Sequence, residues 1–189
     1  MAIVYDDGLK QKITGQRTVY TDTDTMLHAL SIGLGRDPLN EKELPFVFEQ
    51  GGIRVAPIMA AELARGYIAR GLNLDMTLVR HGQQRLKLHR PMPPSDALIS
   101  ESRIVEVLDR GAGKGALVYS ETVVSLGGED QPLLTLDGTI FARGFGGPAG
   151  PTPAVHKIPD RAPDIRHVIE TRADQALLYR LNGDHDRQF

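Results

Sequence analysis

The sequence contains no cysteine. This absence excludes disulfide bonds, thiolate nucleophiles and cysteine-ligated zinc sites, and it fits a reducing compartment. The sequence also has no apolar run long enough to cross a membrane. Its first residues lack the basic segment and apolar core of a signal peptide, and Arg187-Gln188-Phe189 is not a peroxisomal address. We therefore expect a cytoplasmic protein with no membrane partner.

An excess of positive charge is also missing. The net charge of the 189 residues is −2, so we expect no basic surface for nucleic acid and no nucleic-acid partner. Hydrophobic residues make up 41% of the chain and charged residues 24%, which is ordinary for a globular protein. The length is sufficient for one large domain, or for one ordinary domain and a remainder.

The clearest helix signal follows a polar stretch at residues 21–25. Thr and Asp are favourable helix N-caps, and early carboxylates suit the positive end of the helix dipole. Leu27, Leu30 and Leu34 follow at spacings that place them on one helical face. The sequence therefore predicts a helix over residues 22–34. A second helix is predicted from Pro57 towards Gly71.

Residues 79–143 have the pattern of strands separated by turns. In Gln84–His89 apolar and polar residues alternate, as a sheet with one buried and one solvated face requires. Glycine-containing turns separate the later runs, which predicts an antiparallel meander. A sheet needs its apolar face covered, and the helix near 22–34 is the natural cover. The expected fold class is α+β, with strands at 84–89, 98–108, 116–126 and 133–143.

Glycine and proline are dense between residue 144 and residue 163, which predicts an extended linker. After it, an N-cap signal at residues 171–175 introduces a short helix that contains Leu177, Leu178, Tyr179 and Leu181, which we expect to pack against other residues. The predicted organisation has three parts. They are an N-terminal domain over 1–145, a linker over 146–170, and the start of a second domain over 171–189.

Four stretches give the chain a resemblance to a known family. They are Tyr20–Asp24, His81–Pro94, Val155–Asp164 and Gln175–Asp184, and together they resemble the MaoC-like, type-2 enoyl-CoA hydratases. The resemblance implies two hot-dog domains, each an antiparallel sheet wrapped around a helix. It also implies that the N-terminal domain helps to hold the acyl chain, and that the other domain adds water to a trans-2-enoyl-CoA to give the (R)-3-hydroxyacyl-CoA. A coenzyme A thioester is the implied substrate, with no metal or redox cofactor.

The family's catalytic motif is matched only in part. Tyr179, Leu181, Gly183 and Asp184 match it, while Phe189 stands where the family has its catalytic His. The resemblance implies that Asp184 is what remains of a catalytic pair and that Tyr179 and Gly183 contact substrate. Hydration needs a water that is oriented and deprotonated, and a phenyl ring cannot accept or donate a proton. We expect the chain to be inactive alone, with a catalytic domain that is truncated or changed in frame after Asp184.

Two alternatives remain. The first is a non-catalytic acyl-binding subunit that pairs with another hot-dog chain, such as a complete hydratase chain, through open sheet edges, as a homodimer or a hetero-oligomer. The second is a hot-dog thioesterase, although capping explains Asp22 and Asp24 better than catalysis does. His185 is a weak substitute base because it adjoins Asp184 directly. Asp184 and His185 are adjacent and have no third metal ligand at suitable spacing, so we expect no metal site.

Overall fold

The computed structural model describes residues 10–64, 72, 74–111, 113–144 and 157–183. Within these ranges, five strands form one sheet in the order β1-β3-β4-β5-β2, and every pair of neighbours is antiparallel. The strands are β1 (Lys12–Tyr20), β2 (Val79–Leu88), β3 (Asp96–Asp109), β4 (Ala116–Leu126) and β5 (Pro132–Ala142).

The helices of the described residues are short. They are α1 (Asp22–Ser31), α2 (Leu44–Val47), α3 (Met59–Leu63) and α4 (Gln175–Tyr179), with 3-10 turns at Met76–Leu78 and Arg180–Asn182. None of them has the length and apolar character that a membrane crossing requires.

The start of α1 confirms the N-cap prediction. The Thr21 side chain accepts a hydrogen bond from the backbone N–H of Asp24, and the Asp24 carboxylate accepts one from the backbone N–H of Thr21. This reciprocal pair satisfies two of the backbone donors that a helix start leaves free. The helix ends at Ser31, short of the predicted residue 34.

The most buried residues of α1 are not its leucines. Thr25, His28 and Ala29 are almost fully buried, whereas Leu30 is 45% exposed and Leu27 is partly buried. The buried Thr25 hydroxyl donates to a loop carbonyl, which satisfies its hydrogen-bonding capacity. The spacing of the leucines does not reveal this buried side.

The sheet confirms four predicted strands and corrects their order. Strands β3, β4 and β5 are sequential neighbours, as a meander requires, but β2 pairs with β5 and not with β3. Strand β1 was not predicted, and it covers the free side of β3. Because β1 and β2 lie at opposite edges of the sheet, the connections from β1 to β2 and from β2 to β3 must pass across it. The short turns between β3, β4 and β5 give no information about these connections.

The core lies on one face of the sheet. Leu134 and Val124 are fully buried there, and Met59 and Ala60 of α3 belong to the same cluster. A second cluster, which contains Ile104 and Val118, fills the other end of that face. The helix α3 therefore covers this face of the sheet, as an α+β layer architecture requires. The helix α1, which was the expected cover, contributes no residue to either cluster.

Two predictions fall partly outside the described residues. Only Met59–Leu63 of the helix predicted over 57–71 is seen as helix, and residues 65–71 are not described. The segment 157–174 contains no helix or strand, which agrees with an extended linker, while 145–156 is not described. The three-part division of the chain stays a prediction.

Candidate functional site at the α1–α4 junction

The start of α1 is fixed to the proline-rich loop that follows β2. The Tyr20 hydroxyl donates to the backbone oxygen of Pro93 at 2.7 Å, and the Thr25 hydroxyl donates to that of Pro94 at 2.8 Å. Burial, together with the nearby Asp96 carboxylate, raises the pKa of Tyr20 to about 12. Two of the stretches that carry the family resemblance therefore touch each other, and they set where α1 lies.

The other end of α1 meets α4. We call this contact the α1–α4 junction and define it by His28, Ser31, Glu62, Tyr179 and Asn182. The Tyr179 hydroxyl donates a hydrogen bond to the Glu62 carboxylate, and the Asn182 amide donates to the Ser31 hydroxyl at 2.9 Å. The same amide donates to the Tyr179 backbone oxygen at 3.0 Å. Polar side chains from three separate parts of the sequence thus hold the 3-10 turn that ends at Gly183.

An arginine fastens the chain just before α4. Arg36 donates to the backbone oxygen of Glu170 at 2.5 Å and to the side-chain oxygen of Gln175 at 2.7 Å. Gly33 lies beneath the guanidinium with a φ of 99°, and a Cβ there would stand 3.0 Å from an Arg36 nitrogen. Glycine is required at position 33 by the positive φ and by this close approach.

His28 is the most unusual residue of the junction. It is 1% exposed, and neither ring nitrogen has a hydrogen-bond partner within the described residues. Burial lowers the pKa of His28, and the Glu62 carboxylate opposes that shift in part. Its ring centroid lies 6.3 Å from that of Tyr179, with the rings tilted. The His28 imidazole is therefore neutral at physiological pH, and its ring packs beside the Tyr179 ring.

A cavity of about 460 Å³ opens beside the junction. This volume falls within the range of small-molecule sites, and its walls combine apolar atoms with a few polar groups, as such sites do. Its lining residues are Ser31, Ile32, Thr171, Arg172, Ala173, Gln175, Ala176 and Tyr179. No group of three potential metal ligands is present in the part of the chain that the structure describes.

The structure locates some of the expected site residues and leaves others undescribed. Tyr179 lies in the junction, and Gly183 ends the 3-10 turn with a φ of 98°, a conformation that favours glycine. Asp184, His185 and Phe189 lie outside the described residues. The roles that the resemblance implies for Asp184, Tyr179 and Gly183 therefore stay predictions.

The helix at 175–179 departs from expectation in two ways. Leu177 is 58% exposed and Leu181 is 66% exposed, so two of the four expected packing residues do not pack within the described chain. Asp174 occupies the N-cap position without capping, because its carboxylate is paired with Arg172. The contact with α1 includes the Tyr179 ring, which lies beside His28, and the Asn182–Ser31 hydrogen bond.

Sequence reasoning missed His28, Ser31, Arg36 and Glu62. Glu62 and Tyr179 are 117 positions apart, and Ser31 and Asn182 are 151 positions apart. No local spacing rule connects residues at such distances. The one available signal was a histidine between apolar residues in the second half of α1, which indicates burial or function without deciding between them.

Comparison with known proteins defines the class first. The model of the MFE-2 hydratase 2 N-terminal domain matches residues 19–144, which contain the sheet from the end of β1 onwards and the helices α1 to α3. Among solved structures, a MaoC-like dehydratase from Phytophthora capsici superposes with a TM-score of 0.75 at 25% identity, covering 96% of this chain and 64% of that one. The fold is a hot-dog fold.

Curated relatives then identify the family. The peroxisomal enoyl-CoA hydratase 2 of Arabidopsis thaliana is 34% identical over 94% of this chain and 64% of its own length. The enoyl-CoA hydratase ChsH3 of Mycobacterium tuberculosis is 32% identical over 98% of this chain and 67% of its own length. The chain belongs to the MaoC-like hydratase family and spans about two thirds of the length of these two relatives.

Proposed function

We propose that this chain is an acyl-CoA-binding member of the hydratase family, and that its site lies at the α1–α4 junction. The carrying observation is that Tyr179 and Gly183, which match the family's catalytic motif, are held against α1 beside a cavity of about 460 Å³. The relatives are named enoyl-CoA hydratases, and the same substrate class, a trans-2-enoyl-CoA, is proposed here. In this proposal residues 171–183 begin the second hot-dog domain.

The reaction proposed for the family assigns definite roles. A carboxylate and an imidazole orient and deprotonate one water for attack at C3, and a proton is delivered at C2. Backbone donors stabilise the negative charge that develops on the thioester oxygen. Asp184 offers the carboxylate, but Phe189 stands where the family's His is found. We therefore propose that the chain binds enoyl-CoA and does not hydrate it unaided, with no metal or redox cofactor required.

The test follows the conjugated enoyl-thioester absorbance when purified chain is mixed with a trans-2-enoyl-CoA. We expect saturable binding without loss of absorbance. Hydration that disappears in Asp184→Ala would overturn the proposal that the chain is inactive alone, and it would assign catalysis to Asp184. Release of free coenzyme A would favour the thioesterase alternative instead.

A second candidate is a binding subunit that works with a complete hydratase chain. The supporting observation is the apolar surface left open on and before α4, where Ile165, Val168, Ile169, Leu177 and Leu181 are all more than half exposed. Such a surface, together with the open edges β1 and β2, favours association with another hot-dog domain. Size-exclusion chromatography of the chain alone, and then mixed with a complete hydratase, tests for a homodimer and a hetero-oligomer.

The compartment is a separate proposal. We propose the cytoplasm, because the sequence contains no cysteine, although relatives include a peroxisomal hydratase. Microscopy of the full chain with a fluorescent tag, expressed in its own cell type, tests it. Punctate peroxisomal fluorescence would contradict it.

A further inference from the structure

The hydrogen bond between Glu62 and Tyr179 joins α3 to α4, two elements that are far apart in the sequence. Glu62 belongs to α3, whose neighbours Met59, Ala60 and Ala61 are in the main core. Tyr179 is the last residue of α4 and lies four positions before Gly183. The acceptor, Glu62, therefore lies on a helix that is anchored in the core, and the donor, Tyr179, lies on a helix that buries little apolar surface.

The apolar residues of α4 do not explain why it lies here. Leu177 and Leu181 face away from α1, with more than half of each side chain exposed. The Asn182–Ser31 and Arg36–Gln175 hydrogen bonds are neutral or lie at the surface, where each contributes little. A hydrogen bond to a charged acceptor is roughly twice as strong as a neutral one, so we expect the Tyr179–Glu62 hydrogen bond to be the strongest of these three.

We propose that Glu62 is a positioning residue that acts through Tyr179 and holds the turn at Arg180–Gly183 beside the cavity. The proposal rests on the proposed acyl-CoA site and names a residue of α3 as part of its machinery. His28 supports the geometry because its buried ring packs beside the Tyr179 ring. Tyr179 itself lines the cavity, so a change at Glu62 reaches the ligand indirectly.

Removal of Glu62 is expected to loosen the turn and leave the sheet intact. In Glu62→Ala, amide hydrogen exchange at residues 175–183 should become about tenfold faster, while exchange in β4 should not change. Glu62→Gln keeps a side-chain oxygen that can accept from the phenol, so it should restore most of the protection. Tyr179→Phe removes the donor and should match Glu62→Ala.

The experiment is a double-mutant cycle read by hydrogen exchange and by acyl-CoA affinity on the full chain. Glu62→Ala, Tyr179→Phe and their combination should accelerate exchange at 175–183 to a similar extent, because each removes the Tyr179–Glu62 hydrogen bond. Leu177→Ala, on the exposed side of the same helix, is the matched control and should change nothing. A saturated acyl-CoA should bind the three variants severalfold more weakly than it binds the wild-type chain and Glu62→Gln.

Additive effects of the two single changes, or unchanged exchange in Glu62→Ala, would overturn the inference. Exchange that rises in β4 as well would also overturn it, since Glu62 would then only stabilise the fold. If the wild-type chain does not bind acyl-CoA at all, the proposed function fails, while the exchange measurements still decide whether Glu62 positions Tyr179.

Discussion

The sheet and the segment 157–183 are stabilised by different kinds of interaction. In the sheet, Leu133 and Leu134 are fully buried and every strand has hydrogen-bonded neighbours. In the segment, Ile158 is 92% exposed and Ile165 is 86% exposed, and the contacts with α1 and α3 are side-chain hydrogen bonds. Burial thus stabilises one region, and a few directional polar contacts fix the other, which is the region beside the cavity.

The largest expected effect comes from the sheet. Leu134→Ala should lower the free energy of unfolding by about 2–5 kcal/mol, because it removes buried methyl groups and leaves a cavity that the rigid strands cannot fill. Urea unfolding followed by circular dichroism measures the change. A loss below about 1 kcal/mol would mean that the core tolerates voids and that the contrast between the two regions is weaker than we describe.

An acid-dependent effect should come from His28. Its pKa is lowered in the folded protein, so the unfolded chain binds the proton first, and stability present above pH 6.5 is lost as the pH falls below it. The loss can reach about 1.4 kcal/mol per pH unit for one proton. His28→Phe should flatten the dependence between pH 7 and pH 5 in urea unfolding. His89→Gln, at an exposed position, is the control and should retain the dependence.

A smaller effect should come from the Tyr20–Pro93 contact. Tyr20→Phe leaves the ring in place and removes one buried hydrogen bond, which should cost about 1 kcal/mol. Because the pKa of Tyr20 is raised to about 12, stability is full below pH 10 and declines as the pH rises from 10 towards 12. Tyrosinate absorbance in wild type and Tyr20→Phe identifies this group. Titration of all five tyrosines near pH 10 would contradict it.

The smallest effect should come from the exposed side of α4. Leu177→Ala should change the free energy of unfolding by less than about 0.5 kcal/mol, because the side chain is 58% exposed. Thermal unfolding of the two proteins should give nearly the same midpoint. A large loss at low protein concentration would show that Leu177 is buried in solution, most simply by a second chain, and a concentration series separates that case from an internal contact.

Four of the strands and the N-cap of α1 could be predicted from the sequence because these features depend on local patterns. Alternation predicted Gln84–His89 as strand, and Thr21 with Asp24 marked the helix start. The placement of β2 beside β5 and the buried face of α1 depend on residues far away in the chain. For the site, the motif residues Tyr179 and Gly183 were found by resemblance, while Glu62 and His28 meet them only after folding.

The most direct test of the account is hydrogen exchange of the full chain with and without a saturating trans-2-enoyl-CoA. Residues between 171 and 179 and the end of α1 form the walls of the cavity, and we predict slower exchange in 171–183 and at the end of α1 when ligand is bound. Exchange in β4 should not change, since its amides are already protected by β3 and β5. Unchanged exchange at 171–183 with saturating ligand, or protection confined to another surface, would contradict the proposed site.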